Sequence, residues 1–122
     1  MIGYLTVGTN DLPRATAFYD KLFEAIGGTR LMEQPRGIIW SFGPTCAAFG
    51  VMTPYDGKPA TIGNGSMVGL SMNSKARVNE MHRLALSLGA TDEGAPGQRD
   101  DMFYASYFRD LDGNKICLFF MA

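Results

Sequence analysis

The side chains that most often carry chemistry at neutral pH are scarce in this sequence. It has one histidine, His82, and two cysteines, Cys46 and Cys117. A single histidine leaves no His–His metal pair within one chain, and any Ser–His or Cys–His couple would depend on that one residue. His82 flanks the apolar stripe of a helical pattern, which reads as a partly exposed surface histidine. Cys117 stands in the apolar run "KICLFF" with no base at the neighbouring strand positions. It reads as a small buried residue rather than a nucleophile. Cys46 and Cys117 form no close-spaced motif, so the pair reads as two buried free thiols of a reducing cytoplasm. Asp100 and Asp101 are adjacent acids in a loop, where solvation is the expected role rather than general acid–base work.

Two short motifs fail on inspection. "DLDGNK" has the look of a calcium loop, but no glutamate closes it at the required position, where Met121 stands instead. Asp112, Gly113 and Asn114 read better as a hairpin turn. Gly63, Asn64 and Gly65 are not followed by the lysine and helix that a phosphate loop needs. Phe103, Tyr104, Tyr107, Phe108, Phe119 and Phe120 are dense enough to give stacking surfaces. Strand alternation lets some of them serve the core and others an open face.

The composition narrows the partners. Eleven basic and 12 acidic residues give a formal net charge of −1. No basic stripe offers the footprint of a nucleic-acid binder. The start, "MIGYLTVGTND", has neither the basic region nor the apolar length of a signal peptide. No apolar stretch approaches the ~20 residues that span a bilayer. A chain of 122 residues, 46% of them hydrophobic, suits one domain without staples, although so small a core gains from dimerisation.

The elements that must position these residues come twice. Residues 2–8 alternate as a half-buried strand. Asn10 or Asp11 caps a helix with Pro13 in its first turn and Ala15, Phe18, Leu22 and Ile26 on its apolar face; Gly27 and Gly28 stop it. Strand-like segments follow near 29–34, 37–43 and 46–52. After the turn-rich "TPYDGKPATIGNG" the pattern restarts with "SMVGLSM" and a helix capped by Asn73 or Ser74. Its stripe is Val78, Met81, Ala85 and Leu88, and Gly89 ends it. Three more strands are expected near 90–95, 102–109 and 114–121. Laying Tyr4 on Met67 brings Leu5 onto Val68, Val7 onto Leu70, Asn10 onto Asn73, Arg14 onto Arg77 and Phe18 onto Met81. The chain therefore reads as a twofold repeat of strand, helix and three strands.

On "MIGYLTVGTNDLPRATAFYDKLF", "GNGSMVGLSM" and "YFRDLDGNKICLFF", the sequence resembles the vicinal oxygen chelate superfamily of glyoxalase I, bleomycin-resistance proteins and extradiol dioxygenases. The resemblance spans nearly the whole chain. It implies a single α+β domain, residues 1–122, of two tandem βαβββ modules, about 1–57 and about 64–122. It further implies that they form a curled, eight-stranded open-barrel cup with the helices outside. It also implies a homodimer, with or without exchange of modules, and usually a divalent metal inside the cup. The positions that match the family's ligands hold Tyr4, Met67 and Cys117, with a fourth near Phe49 or Val51. Tyrosine, methionine and cysteine make a poor set for Mg, Mn, Ni or Fe(II).

The expectation is therefore a cytoplasmic, homodimeric protein with no cofactor, whose apolar cup binds a small planar or apolar molecule. Alternation turns Ile116, Leu118 and Phe120 toward the helix, and Cys117, Phe119 and Met121 toward the cup. Tyr4, Thr6, Met67 and Cys117 are expected near its floor, and Trp40, Phe49, Tyr104 and Phe119 along its walls. The alternatives are a metal-dependent lyase, isomerase or dioxygenase drawing ligands from a loop or a partner chain, and a pseudoenzyme whose cup is filled.

Overall fold

The computed structural model describes residues 1–122, which divide into two compact units, Met1–Ile62 and Gly63–Ala122. The first unit runs β1 (Tyr4–Gly8), α1 (Leu12–Glu24), β2 (Thr29–Gln34), β3 (Gly37–Ser41) and β4 (Ala48–Met52). The second runs β5 (Val68–Ser71), α2 (Lys75–Ser87), β6 (Thr91–Gln98), β7 (Phe103–Arg109) and β8 (Lys115–Met121). The strand orders are β1-β4-β3-β2 and β5-β8-β7-β6, the same order in each sheet. In both, the first strand pairs parallel with the last and the other neighbours are antiparallel. The long connection that a parallel pair requires runs through the helix and the two strands between. The repeat read from the sequence is thus present as repeated topology.

Local chemistry sets the helix ends. Asp11 caps α1 by accepting from the Arg14 N–H at 3.1 Å, and Thr9 Oγ1 accepts from the Asp11 N–H at 3.0 Å. Ser74 caps α2 by accepting from the Arg77 N–H at 3.1 Å. Each cap satisfies an amide that the first helical turn leaves without a partner. Past the helices the chain turns through Gly27 and Gly89, at φ 81° and 105°, where a side chain would strain the backbone. Asn10 ties the connecting segment back to the first unit. Its Oδ1 accepts from the Ala60 N–H at 2.7 Å and its Nδ2 donates to the Ala60 carbonyl.

Each core lies between one helix and one face of its own sheet. In the first unit Tyr19 and Phe23 of α1 pack on Trp40 of β3 and Phe49 of β4, with ring centres 5.0–5.9 Å apart. Trp40 is anchored by a hydrogen bond from Nε1 to Asp20 Oδ1 at 3.0 Å. Arg30 Nε donates to the same oxygen, also at 3.0 Å. Hydrogen bonding from Arg30 holds the Asp20 carboxyl below its ordinary range; partial burial opposes the shift and Trp40 adds to it. Trp40 and Phe49 are consequently core residues facing α1, not residues of the opposite sheet face where the sequence reading put them. Tyr19 and Phe23 join the expected apolar face of α1, while Ile26 falls beyond the helix.

In the second unit Val78, Met81 and Ala85 of α2 cover Phe108, Ile116 and Leu118. Tyr104 belongs to this same face, because its hydroxyl donates to Asn79 Oδ1 of α2 at 2.6 Å. It too is displaced from its expected place on the other side of the sheet. His82 is buried among these residues, its ring 6.5 Å from that of Phe108, which corrects the reading of a partly exposed surface histidine. Nε2 lies 3.3 Å from Asp92 Oδ1 of β6 without an aligned hydrogen bond, and Nδ1 has no partner. Burial lowers the pKa of His82, and the Asp92 carboxylate only partly offsets this. The unfolded chain therefore takes up this proton more readily than the folded protein. The stability that neutral His82 contributes is complete above the unfolded value of ~6.5 and is lost as pH falls below it. Urea unfolding should show lower stability at pH 5 than at pH 7.5, and His82→Leu should remove that part of the slope. A wild-type profile that is flat across this window would contradict the buried neutral imidazole.

Candidate functional site

One helix per sheet leaves the other face of each sheet without a helix. Register decides which residues occupy it. In the second unit Phe103 pairs with Met121, Ala105 with Phe119, Tyr107 with Cys117 and Arg109 with Lys115. These eight share one face, while Tyr104, Ser106, Phe108, Ile116, Leu118 and Phe120 share the other. The expected alternation of β8 therefore holds. Phe103 and Phe119 stack with ring centres 5.4 Å apart and planes at 29°. On β5, Gly69 lies opposite Cys117, and a Cβ there would come within 3.3 Å of the Phe119 ring. The missing side chain leaves room for that ring beside the strand.

Beside the aromatic pair is a cluster that sequence reasoning missed. The Arg99 guanidinium carbon and the Lys115 ammonium each lie 5.4 Å from the centre of the Tyr107 ring. Cys117 is 1% exposed in their midst. Burial pushes the Cys117 thiol up, while Tyr107 and the charges of Arg99 and Lys115 pull it only partly back. The thiol that the sequence showed only within an apolar run thus has two cations near it. The expectation that both thiols are buried is corrected, since Cys46 is exposed. The signal for this cluster was present in part: Lys115 stands two residues before Cys117, on the same side of β8. Arg99 lies outside the strands, and only the hairpin between β6 and β7 returns it to Tyr107.

In the first unit, Tyr4 and Thr6 of β1 pair with Ala48 and Gly50 of β4. A Cβ on Gly50 would lie 3.1 Å from both Thr6 Cγ2 and Ile39 Cγ1, so Thr6, Gly50 and Ile39 share the face turned away from α1. Tyr4 shares it by alternation and is exposed. Phe49 and Val51, the two residues considered for a fourth ligand position, both lie on the buried side under α1. Gly50 between them takes the position on the helix-free face, and it carries no donor. Met67, immediately before β5, is exposed. The structure thus brings Tyr4 and Thr6 to one sheet and Cys117 and Phe119 to the other.

Tyr4, Gly50, Met67 and Cys117 do not fit a hard or borderline divalent ion. That ion needs inward carboxylate or imidazole ligands, and this set has a phenol, a hydrogen, a thioether and a buried thiol of raised pKa. No three His, Cys, Asp or Glu side chains come together as a ligand group. No helix is long and apolar enough to cross a membrane.

Comparison with known proteins agrees with this architecture. The model of the Glyoxalase/Bleomycin resistance protein/Dioxygenase superfamily matches residues 1–118. A glyoxalase/bleomycin resistance protein from Albidiferax ferrireducens superposes with a TM-score of 0.91 at 35% identity, covering 100% of this chain and 99% of the other. A family enzyme from Burkholderia phytofirmans gives 0.80 at 18% identity, over 98% of both chains. Lactoylglutathione lyase from Agrobacterium tumefaciens gives 0.74 at 19% identity, over 98% of this chain and 92% of its own. The last two likenesses concern the fold alone. No curated protein matches the sequence. With a family match over nearly all of its length, carried by two βαβββ modules, the chain belongs to the glyoxalase/bleomycin resistance protein/dioxygenase superfamily.

Proposed function

We propose that this protein binds a small planar molecule on the helix-free face of the β5–β8 sheet, and does so without a resident metal. The observation that carries the proposal is the stacked Phe103–Phe119 pair on that face, with Gly69 leaving room beneath it. Stacked rings over small neighbours offer a flat apolar surface to another ring. The metal-free part of the reading rests on the chemistry of Tyr4, Gly50, Met67 and Cys117. Of the residues proposed from the sequence as ligand contacts, Phe119 remains in this site and Cys117 lies buried under it; Tyr4, Thr6 and Met67 are further candidates on helix-free surface. Trp40, Phe49 and Tyr104 act through the core.

Equilibrium dialysis with 2-naphthol, a neutral planar probe, tests the site. Binding should saturate at one probe per chain. Phe119→Ala should weaken it at least about fivefold, since an aromatic pair contributes ~1 kcal/mol beyond the area it covers. Uptake that does not saturate, or that survives Phe119→Ala undiminished, would sink the proposal.

The metal-free reading has its own test. A ligand that binds only the folded state raises stability by ~2.7 kcal/mol at a hundredfold excess over its Kd. Mg, Mn, Ni or Zn should produce no such stoichiometric rise in Tm. A clear shift with any one of them would restore metal chemistry as the leading reading.

We also propose a homodimer in a reducing cytoplasm. Each sheet ends in two edge strands, β1 and β2 in one and β5 and β6 in the other. Large apolar side chains also stand in solvent: Tyr4 is 65% exposed, Leu31 64% and Met121 57%. The free, exposed thiol of Cys46 suits a compartment that keeps thiols reduced. Light scattering at tens of micromolar (roughly the range where a specific interface holds) should give twice the chain mass. A clean monomer would count against the pairing.

A further inference from the structure

We propose that the ligand of the β5–β8 face is an aromatic carboxylate, its ring on Phe103 and Phe119 and its carboxylate paired with the cations Arg99 and Lys115 that flank Tyr107. The proposal rests on the reading of that face as a small-molecule site and assigns the ligand's charge.

Arg99 is held in place by the hairpin rather than by an acid. Its backbone N–H donates to the Phe103 carbonyl at 2.7 Å, which fixes the residue where β6 turns into β7. One Nη donates to the Ala95 carbonyl at 2.7 Å. The guanidinium then lies across β6 at two glycines. A Cβ on Gly94 would approach one of its nitrogens to 3.4 Å, and a Cβ on Gly97 would approach the other to 2.9 Å. Both glycines pair with β7, opposite Tyr107 and Ala105, so the cation is carried onto the face of the aromatic pair.

Neither cation has a carboxylate partner. The acids nearby are engaged elsewhere. Asp100 Oδ1 accepts from the N–H groups of Met102 and Phe103 at 2.9 and 2.8 Å, and Asp92 Oδ1 accepts from the Gly94 N–H at 3.0 Å. Glu93 is paired with Arg109 at 2.9 Å, so the third cation of the face is neutralised while Arg99 and Lys115 are not. Two like charges are thereby gathered about one tyrosine ring, an arrangement that a bound anion relieves. A guanidinium fork with one Nη committed to Ala95 still has donors for a carboxylate oxygen, and an ammonium supplies a second point of contact.

The spacing selects the shape. Phe119 and Cys117 are one alternation apart on β8, and their partners Ala105 and Tyr107 are likewise one alternation apart on β7. That step is about 7 Å. Ala105 and Cys117, the residues between the stacked rings and the two cations, have small side chains and are buried. A flat ring bearing a carboxylate on a short arm matches a face that is aromatic at one end and cationic at the other.

Cinnamate and its neutral analogue cinnamamide separate the charge from the ring. Isothermal titration should show cinnamate binding one per chain, at least tenfold more tightly than cinnamamide, with affinity falling as salt is raised. Arg99→Gln and Lys115→Met should each weaken cinnamate about tenfold and leave cinnamamide unchanged. Equal affinity of wild type for the two probes would overturn the charge assignment while leaving planar binding intact. Undiminished cinnamate binding in the Arg99→Gln, Lys115→Met double variant would also overturn it. Absence of binding by either probe at millimolar concentration would overturn both this inference and the function on which it rests.

Discussion

A four-stranded sheet has two faces, and each module of this protein has one helix. That ratio governs nearly everything else. The helix can seal one face, so successive residues on each strand meet unlike surroundings. In the first module α1 takes Trp40, Phe49 and Val51, leaving Thr6, Gly50 and Ile39 on the face opposite. In the second, α2 takes Phe108, Ile116 and Leu118, leaving Phe103, Tyr107, Cys117 and Phe119. A slip of one residue in any strand would exchange the two sets, so register and function are fixed by the same requirement.

The two helix-free faces are built differently. The first module places small and aliphatic groups around Gly50, with the phenol of Tyr4 farther along β1. The second gathers aromatics and cations. Gly69 leaves room for the Phe119 ring, and Gly97 leaves room for the Arg99 guanidinium. In each case a side chain occupies space that a Cβ would have taken. A divalent metal would need inward carboxylates and imidazoles at such positions. Here the same scaffold carries groups suited to stacking and to pairing with an anion, consistent with a fold being a frame on which different sites are set.

Much of this was legible before any coordinates. Asp11, Pro13, Ser74, Gly27 and Gly89 mark the helix ends through local backbone chemistry, and local chemistry is what a sequence records directly. The repeat was visible because the same periodicities return at the same offset. The alternation of β8 was visible because a strand has period two. Trp40, Phe49 and Tyr104 were misplaced for a different reason. An aromatic side chain suits a core and a binding wall equally well, and the choice depends on register with a neighbouring strand. Asp20 on α1 receives the Trp40 indole N–H, and Asn79 on α2 receives the Tyr104 hydroxyl. Neither partner is close in sequence.

By itself, then, the sequence determined two βαβββ modules with their caps and stops. These follow from residue type and short-range spacing. Only the tertiary structure decided that His82 is buried, that Gly50 rather than Phe49 or Val51 stands on the helix-free face, and that Arg99 and Lys115 converge on Tyr107 beside Cys117. The physical reason is common to all three. Each depends on which strand lies beside which, and in what register. Those pairings are made, within hairpins and across whole modules, by hydrogen bonds whose backbone donors and acceptors are the same at every residue except proline.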